Sequence, residues 1–131
     1  MLVFLVRHAH AVSGDPDELR ELSERGRDEA RELAQRLAEH ATPPALVVTS
    51  PLLRARQTAT EIARAADAEL RVEERLAPGA TAELLREALE DADGPVAAVG
   101  HQPDCSEIAL ELTGDDPGFP TAGVAELTVE L

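Results

Sequence analysis

Residues 2–8 are Leu-Val-Phe-Leu-Val-Arg-His, and this segment is the most informative part of the chain about its fold. Five consecutive apolar residues, rich in β-branched and large side chains, are typical of a strand buried on both faces of a parallel sheet. A guanidinium and an imidazole do not fit in the middle of such a strand, so we expect Arg7 and His8 at its carboxyl end. In open α/β sheets, ligands bind at that end of the strands. An isolated Arg-His pair more often simply ends a strand, so a functional interpretation depends on the remaining sequence.

Further along the chain, short buried strands alternate with amphipathic helices. Ser23 is a good N-cap for a helix that stops before Pro43 and Pro44. Further strands are predicted over residues 45–49, 70–72, 96–99 and 122–131, and further helices over residues 51–66, 81–91 and 103–112. This alternation predicts one α/β domain over residues 1–131, built as a three-layer α/β/α sandwich.

Composition limits the classes of function. The net charge of −14 argues against binding to nucleic acid, whose phosphates would be repelled. No apolar run approaches the roughly 18 residues of a membrane span, so we expect a cytoplasmic protein without membrane contact. The single cysteine, Cys105, excludes an intramolecular disulfide and a cysteine-based zinc cluster. Since the chain contains arginine but no lysine, an anion pocket must use Arg, His and backbone N–H groups, and the guanidinium fork suits phosphate oxygens.

Polar side chains follow three of the predicted strands. The first strand is followed by Arg7 and His8, the second by Ser50 with Arg54 one turn into the next helix, and the third by His101. Each of these residues alone has an ordinary structural explanation, such as a solvated helix face or a turn. If the strands are parallel, however, all of them share one edge of the sheet and surround a pocket suited to a phosphoryl group.

Four segments resemble the motifs of one known family. Residues 3–9, Val-Phe-Leu-Val-Arg-His-Ala, resemble the Arg-His signature of the histidine phosphatase superfamily, which includes phosphoglycerate mutases and many phosphatases. Residues 22–26 resemble its Leu-Thr-x-x-Gly element, residues 50–59 its Ser-Pro-x-x-Arg-x-x-Gln-Thr-Ala element, and residues 99–101 its second histidine motif. The short chain and residues 76–79 are most similar to the small SixA-type phosphohistidine phosphatases. The resemblance implies a phosphoglycerate mutase-like fold with a mostly parallel central sheet.

The resemblance also implies a mechanism. His8 would be the nucleophile, attacking phosphorus through an unprotonated ring nitrogen. Arg7, Arg54 and His101 would hold the phosphoryl oxygens and stabilise the charge of the transition state. Water would then hydrolyse the phosphorylated histidine. The resemblance requires no metal ion or other cofactor, and the sequence contains no plausible set of metal ligands.

Two further residues are candidates for substrate binding. Arg20 resembles an arginine often found just ahead of the Leu-Thr element in the small members of the family. A surface position facing Asp15, Asp17 or Glu24 fits Arg20 equally well. Ser50, at the end of the second strand, is the other candidate.

The general acid is not assigned by the sequence. Larger relatives carry a glutamate near residues 74–80, where the simplest alignment places Pro78. Four carboxylates remain as possible proton donors: Glu73, Glu74, Glu83 and Asp104. The missing acid favours a P–N substrate, because an imidazole leaving group needs less protonation than an alkoxide.

The sequence therefore predicts a phosphatase that dephosphorylates phosphohistidine in a protein, such as a histidine phosphotransfer domain. Little sequence is left for a lid that would enclose a small molecule, and we expect a monomer. Two alternatives stay open: a phosphatase of small phosphomonoesters or phosphoramidates, and a non-catalytic phosphate-binding module with the same fold.

Overall fold

A computed structural model gives the structure of the protein and describes residues 1–130. Within them the chain forms five β-strands and four α-helices. The strands are Leu2–Arg7 (β1), Leu46–Thr49 (β2), Glu69–Val72 (β3), Val96–Gly100 (β4) and Val124–Thr128 (β5). The helices are Glu24–Ala38 (α1), Leu53–Ala66 (α2), Ala82–Ala88 (α3) and Asp104–Thr113 (α4). In this part of the chain, no helix is long and apolar enough to cross a membrane.

The strands form one sheet in the order β3-β2-β4-β1-β5. The first four strands in this order run parallel, and β5 runs antiparallel to β1, which confirms the mostly parallel sheet. In the register, Arg7 pairs with Gly100 of β4, and Thr49 of β2 pairs with Val99 of β4. The carboxyl ends of the three central strands therefore meet at one edge of the sheet.

Side chains of β1 are buried on both faces of the sheet, as the uninterrupted apolar run predicts. Phe4 and Val6 pack in one cluster with residues of α1 and α2. Val3 and Leu5 pack in a second cluster with residues of α3 and α4. Because helices cover both faces of the sheet, the predicted three-layer α/β/α sandwich is confirmed.

The start of α2 differs from the sequence prediction. The helix begins at Leu53 rather than at Pro51. The amide of Ser50 still donates to the carbonyl of Val99 in β4, at 3.0 Å, so Ser50 belongs to the edge of the sheet. The residues that follow turn the chain out of the sheet before helical hydrogen bonding begins.

Two other elements are shorter than predicted. Helix α3 ends at Ala88 instead of Asp91, because the N–H of Leu89 is shared between two carbonyls in a tightened last turn. Strand β5 is shorter than the predicted 122–131, since its ladder with β1 covers only the residues opposite Leu2–Val6. Leu131, the last residue of that predicted strand, lies outside the described residues.

Candidate active site

The predicted convergence of the strand ends occurs in the structure. The amide of His8 donates to the carbonyl of Gly100 at 3.0 Å, which joins the ends of β1 and β4. The rings of His8 and His101 lie with their centroids 5.2 Å apart. The two histidines therefore share one site at the carboxyl edge of the sheet.

His8 is held in one tautomer. Its Nδ1 lies 2.7 Å from the carbonyl oxygen of Ala9. Because a carbonyl oxygen only accepts hydrogen bonds, Nδ1 carries the hydrogen and the neutral ring has its lone pair on Nε2. Burial, and then the positive charges of the nearby arginines, lower the pKa of His8 to about 4. At neutral pH, His8 thus presents an uncharged and nucleophilic Nε2.

Arg54 is buried at the start of α2 and is held by a residue that the sequence analysis gave no role in the site. Its guanidinium donates to the backbone carbonyl of Asp17 at 2.9 Å and to Asp17 Oδ2 at 3.2 Å. Arg20 donates to Asp17 Oδ1 at 3.0 Å. The Arg20 hydrogen bond, and then the charge of Arg54, lower the pKa of Asp17, so this carboxylate is ionised. One carboxylate therefore bridges two arginines for which we predicted phosphate or substrate contacts.

Arg7 is fixed by the loop that precedes β5. Its NH1 donates to the carbonyl of Phe119 at 2.9 Å. The Nε of Arg7 is buried and has no hydrogen-bond partner in the structure. Arg7, the residue before His8, thus has a buried Nε–H group that no protein acceptor binds.

His101 is buried and contacts Ser50. The His101 Nε2 lies 2.7 Å from the Ser50 hydroxyl, and the buried Nδ1 has no hydrogen-bond partner in the structure. Burial, and then repulsion from His8 whenever that ring is protonated and from Arg54, lower the pKa of His101 to about 4. The second imidazole is therefore also neutral at neutral pH.

Thr58 joins the segment after β1 to α2, a role that the sequence analysis did not predict. Its hydroxyl accepts from the amide of Ala9 at 3.0 Å and donates to the carbonyl of Arg54 at 2.9 Å. The neighbouring Gln57 accepts from the amide of Leu22 at 2.7 Å. Both residues lie in the 50–59 motif, so the resemblance of this motif to the family could have pointed to them. Asp17 begins a short exposed 3₁₀ turn outside the motifs, so no sequence pattern pointed to its contact with Arg54.

The structure does not select a general acid. Asp104 is occupied by the backbone amides of residues 79 and 80, at 2.8 and 3.2 Å. Glu73 binds Arg75, and this ion pair lowers the pKa of Glu73. Glu74 and Glu83 are exposed. Within residues 1–130, none of these four carboxylates hydrogen-bonds to the two site histidines or to Arg54. The same range contains no group of three or more His, Cys, Asp or Glu residues arranged to hold a metal ion.

Comparison with known proteins identifies the family. Residues 3–93 match the model of the histidine phosphatase superfamily, branch 1. The chain belongs to this superfamily. A relative from Picosynechococcus sp., an uncharacterized protein, is 37% identical over 131 residues, which cover 92% of this chain and 76% of the relative.

Solved structures place the chain near the SixA proteins. The protein histidine phosphatase SixA, in complex with tungstate, is 29% identical with a TM-score of 0.87, covering 99% of this chain and 89% of SixA. A candidate phosphohistidine phosphatase SixA from Agrobacterium tumefaciens is 30% identical with a TM-score of 0.83. The match covers 95% of this chain and 89% of the Agrobacterium protein. More distant structures of the same fold include a glucosyl-3-phosphoglycerate phosphatase and a phosphoserine phosphatase. Family and fold together support phosphatase activity.

Proposed function

We propose that the protein removes phosphoryl groups through a covalent intermediate on His8, and that its substrate is phosphohistidine in another protein. The observation that carries this proposal is the hydrogen bond of His8 Nδ1 to Ala9 O, at 2.7 Å. It puts the lone pair of a neutral imidazole on Nε2. In this proposal His101, Arg7 and Arg54 are the donors for the phosphoryl oxygens.

In the first step, His8 Nε2 attacks phosphorus. The P–Nε2 bond forms as the bond from phosphorus to the leaving group breaks, and the leaving imidazole takes a proton from solvent as it departs. Arg7 and Arg54 neutralise the charge of the phosphoryl oxygens, and His101 donates a hydrogen bond to one of them.

In the second step, a water molecule attacks phosphorus. The P–Nε2 bond breaks, the water gives up one proton to solvent, and inorganic phosphate leaves. His8 returns to its neutral state with Nδ1 still donating to Ala9. The low pKa of His8 favours this return, because a protonated Nε2 would no longer be nucleophilic.

Three observations support phosphohistidine as the substrate class. The candidate acids are engaged elsewhere or exposed, and a P–N bond depends less on an acid of the enzyme than an ester bond does. His8 is only partly buried, so a side chain presented on another protein has access to it. SixA, the structural neighbour with a TM-score of 0.87, is described as a protein histidine phosphatase.

The test compares wild type, His8→Asn and His40→Asn on a phosphohistidine-containing protein and on an aryl phosphate. His40 lies after α1, pairs with Glu126, and is a matched control for loss of a histidine. We expect the wild type and His40→Asn to hydrolyse phosphohistidine, with little activity on the ester. We expect His8→Asn to be inactive on both.

Each other outcome changes the proposal in a defined way. Equal His8-dependent activity on both substrates would favour a phosphatase of small phosphate esters. A wild-type protein that binds phosphate but hydrolyses neither substrate would favour a phosphate-binding module. Activity that survives in His8→Asn would contradict the assigned nucleophile.

A further inference from the structure

The hydroxyl of Ser50 lies between one donor and one ring nitrogen. The amide of Leu52 donates to Ser50 Oγ at 3.2 Å, and His101 Nε2 lies 2.7 Å from the same oxygen. Ser50 is completely buried. The adjacent Thr49 hydroxyl donates to the Ser50 backbone carbonyl, so it does not compete for the Ser50 hydroxyl.

Counting hydrogens decides the direction of the Ser50–His101 hydrogen bond. The Leu52 N–H only donates, so the Ser50 oxygen accepts there. The hydroxyl hydrogen of Ser50 then needs an acceptor, and among its hydrogen-bond contacts in the structure only His101 Nε2 is one. If His101 donated instead, the serine hydrogen would be left unpaired in a buried site, which is unfavourable. The geometry thus makes Nε2 the acceptor.

The consequence appears at the other nitrogen of the same ring. A neutral imidazole that accepts at Nε2 carries its hydrogen on Nδ1. The Nδ1 of His101 is buried and has no partner in the structure. It belongs to the ring that lies 5.2 Å from His8, measured between centroids. A buried donor without an acceptor, next to the nucleophile, is suited to an oxygen of the transferred phosphoryl group.

We propose that Ser50 is a positioning residue that fixes His101 in the Nδ1–H tautomer, so that Nδ1–H donates to the phosphoryl group bound at His8. Ser50 then acts through His101 and does not bind the substrate itself, in contrast to its role in the sequence prediction. The phosphoryl contact of His101 rests on the proposed function. The tautomer itself can be measured without any ligand.

The first experiment reads the tautomer directly. The protein has four histidines, and two-bond nitrogen–proton correlations in histidine-labelled protein show which nitrogen of each ring is protonated. The His101 signals are assigned by their loss in His101→Asn. We expect His101 to be protonated on Nδ1 in the wild type, and Ser50→Ala to shift it toward the Nε2–H form. Protonation of Nε2 in the wild type would overturn the proposal.

The second experiment measures the consequence for catalysis. We expect Ser50→Ala to lower kcat about tenfold, because misplacing a donor costs less than the 10²–10³ seen when one is removed. Ser50→Thr keeps the hydroxyl and should restore both the tautomer and most of kcat. Ser106→Ala is the matched control, since Ser106 bonds to Gln102 and not to His101.

The two experiments separate the inference from the proposed function. If the wild type shows no turnover but His101 has the Nδ1–H tautomer in a Ser50-dependent way, the proposed function fails while Ser50 keeps its positioning role. If turnover occurs but Ser50→Ala matches Ser106→Ala in both tautomer and kcat, the inference fails alone. Added orthovanadate should shift the His101 Nδ1 signal in the wild type, and no shift would contradict the phosphoryl contact.

Discussion

Arg20 and Arg54 share one carboxylate, that of Asp17. The sequence indicates that both arginines are candidates for phosphate or substrate contacts, Arg54 through its motif and Arg20 through its place before the Leu-Ser element. It does not indicate Asp17 as their common partner, because 37 residues separate Asp17 from Arg54 along the chain. A pairing of this kind depends on the path of an exposed loop, which local sequence patterns do not specify.

The first prediction concerns Asp17 as a competitor for the anion site. A phosphoryl group that binds Arg54 must share this guanidinium with the Asp17 carboxylate, and the two negative charges repel each other. We expect Asp17→Asn to bind orthovanadate more tightly than the wild type, by a factor of a few. Isothermal titration calorimetry at low ionic strength measures the change.

Asp15→Asn is the matched control. Asp15 is exposed in the same segment, and its substitution removes the same charge. A general effect of net charge would tighten binding equally in both variants. Weaker binding in Asp17→Asn than in Asp15→Asn would mean that Asp17 orients Arg54 for the anion instead of competing with it.

The packing of helix α1 against the segment after β1 requires a glycine at its third residue, Gly26. A Cβ at Gly26 would overlap the carbonyl of His10. That carbonyl accepts from the amide of Ser23, and Ser23 is the N-cap that accepts from Gly26. Close approach of the helix start to the segment after His8 is therefore the physical reason for glycine in the Leu-Ser-x-x-Gly element.

The second prediction is that Gly26→Ala destabilises the protein. Overpacking costs typically about 1–3 kcal/mol, more than alanine gains over glycine in helix propensity. Urea denaturation measures the free energy of unfolding. Gly14→Ala is the matched control, because a Cβ there meets only Arg20 Cγ at an ordinary distance of 3.6 Å. Equal stability of the two variants would contradict the packing argument.

The two neutral site histidines link the stability of the whole protein to pH. Their pKa values lie at about 4 in the folded state, compared with an ordinary value of 6.5. Between these two pH values the unfolded chain binds more protons than the folded protein. The free energy of unfolding therefore falls as the pH is lowered through this window, and their contribution levels off below about pH 4.

The third prediction is that the wild type loses stability between pH 7 and 5, and that His8→Asn loses less. The substitution removes one of the two groups that stay unprotonated only in the folded state. Urea denaturation at several pH values in this range gives both slopes. His40→Asn again serves as the control. A wild-type stability that does not change over this range would contradict the neutral state of both site histidines.

Much of the architecture was predictable because local chemistry determines it. The apolar run of β1, the Ser23 cap and the alternation of strands and helices each have a cause within a few residues. The limits of β5 and the start of α2 were not predictable, because the partner strands set them. In the site, the motif residues were predictable, whereas the contacts of Thr58, Asp17 and Ser50 arise only when distant segments meet.

The proposed phosphorylated intermediate on His8 is stable at alkaline pH. Rapid quenching at alkaline pH during turnover of a phosphoramidate therefore traps it. Mass spectrometry of the digested protein then locates any acid-labile phosphoryl group. We predict one such group on the peptide that contains His8, absent in His8→Asn and retained in His40→Asn. A phosphoryl group on another residue, or turnover by His8→Asn at the wild-type rate, would contradict the account.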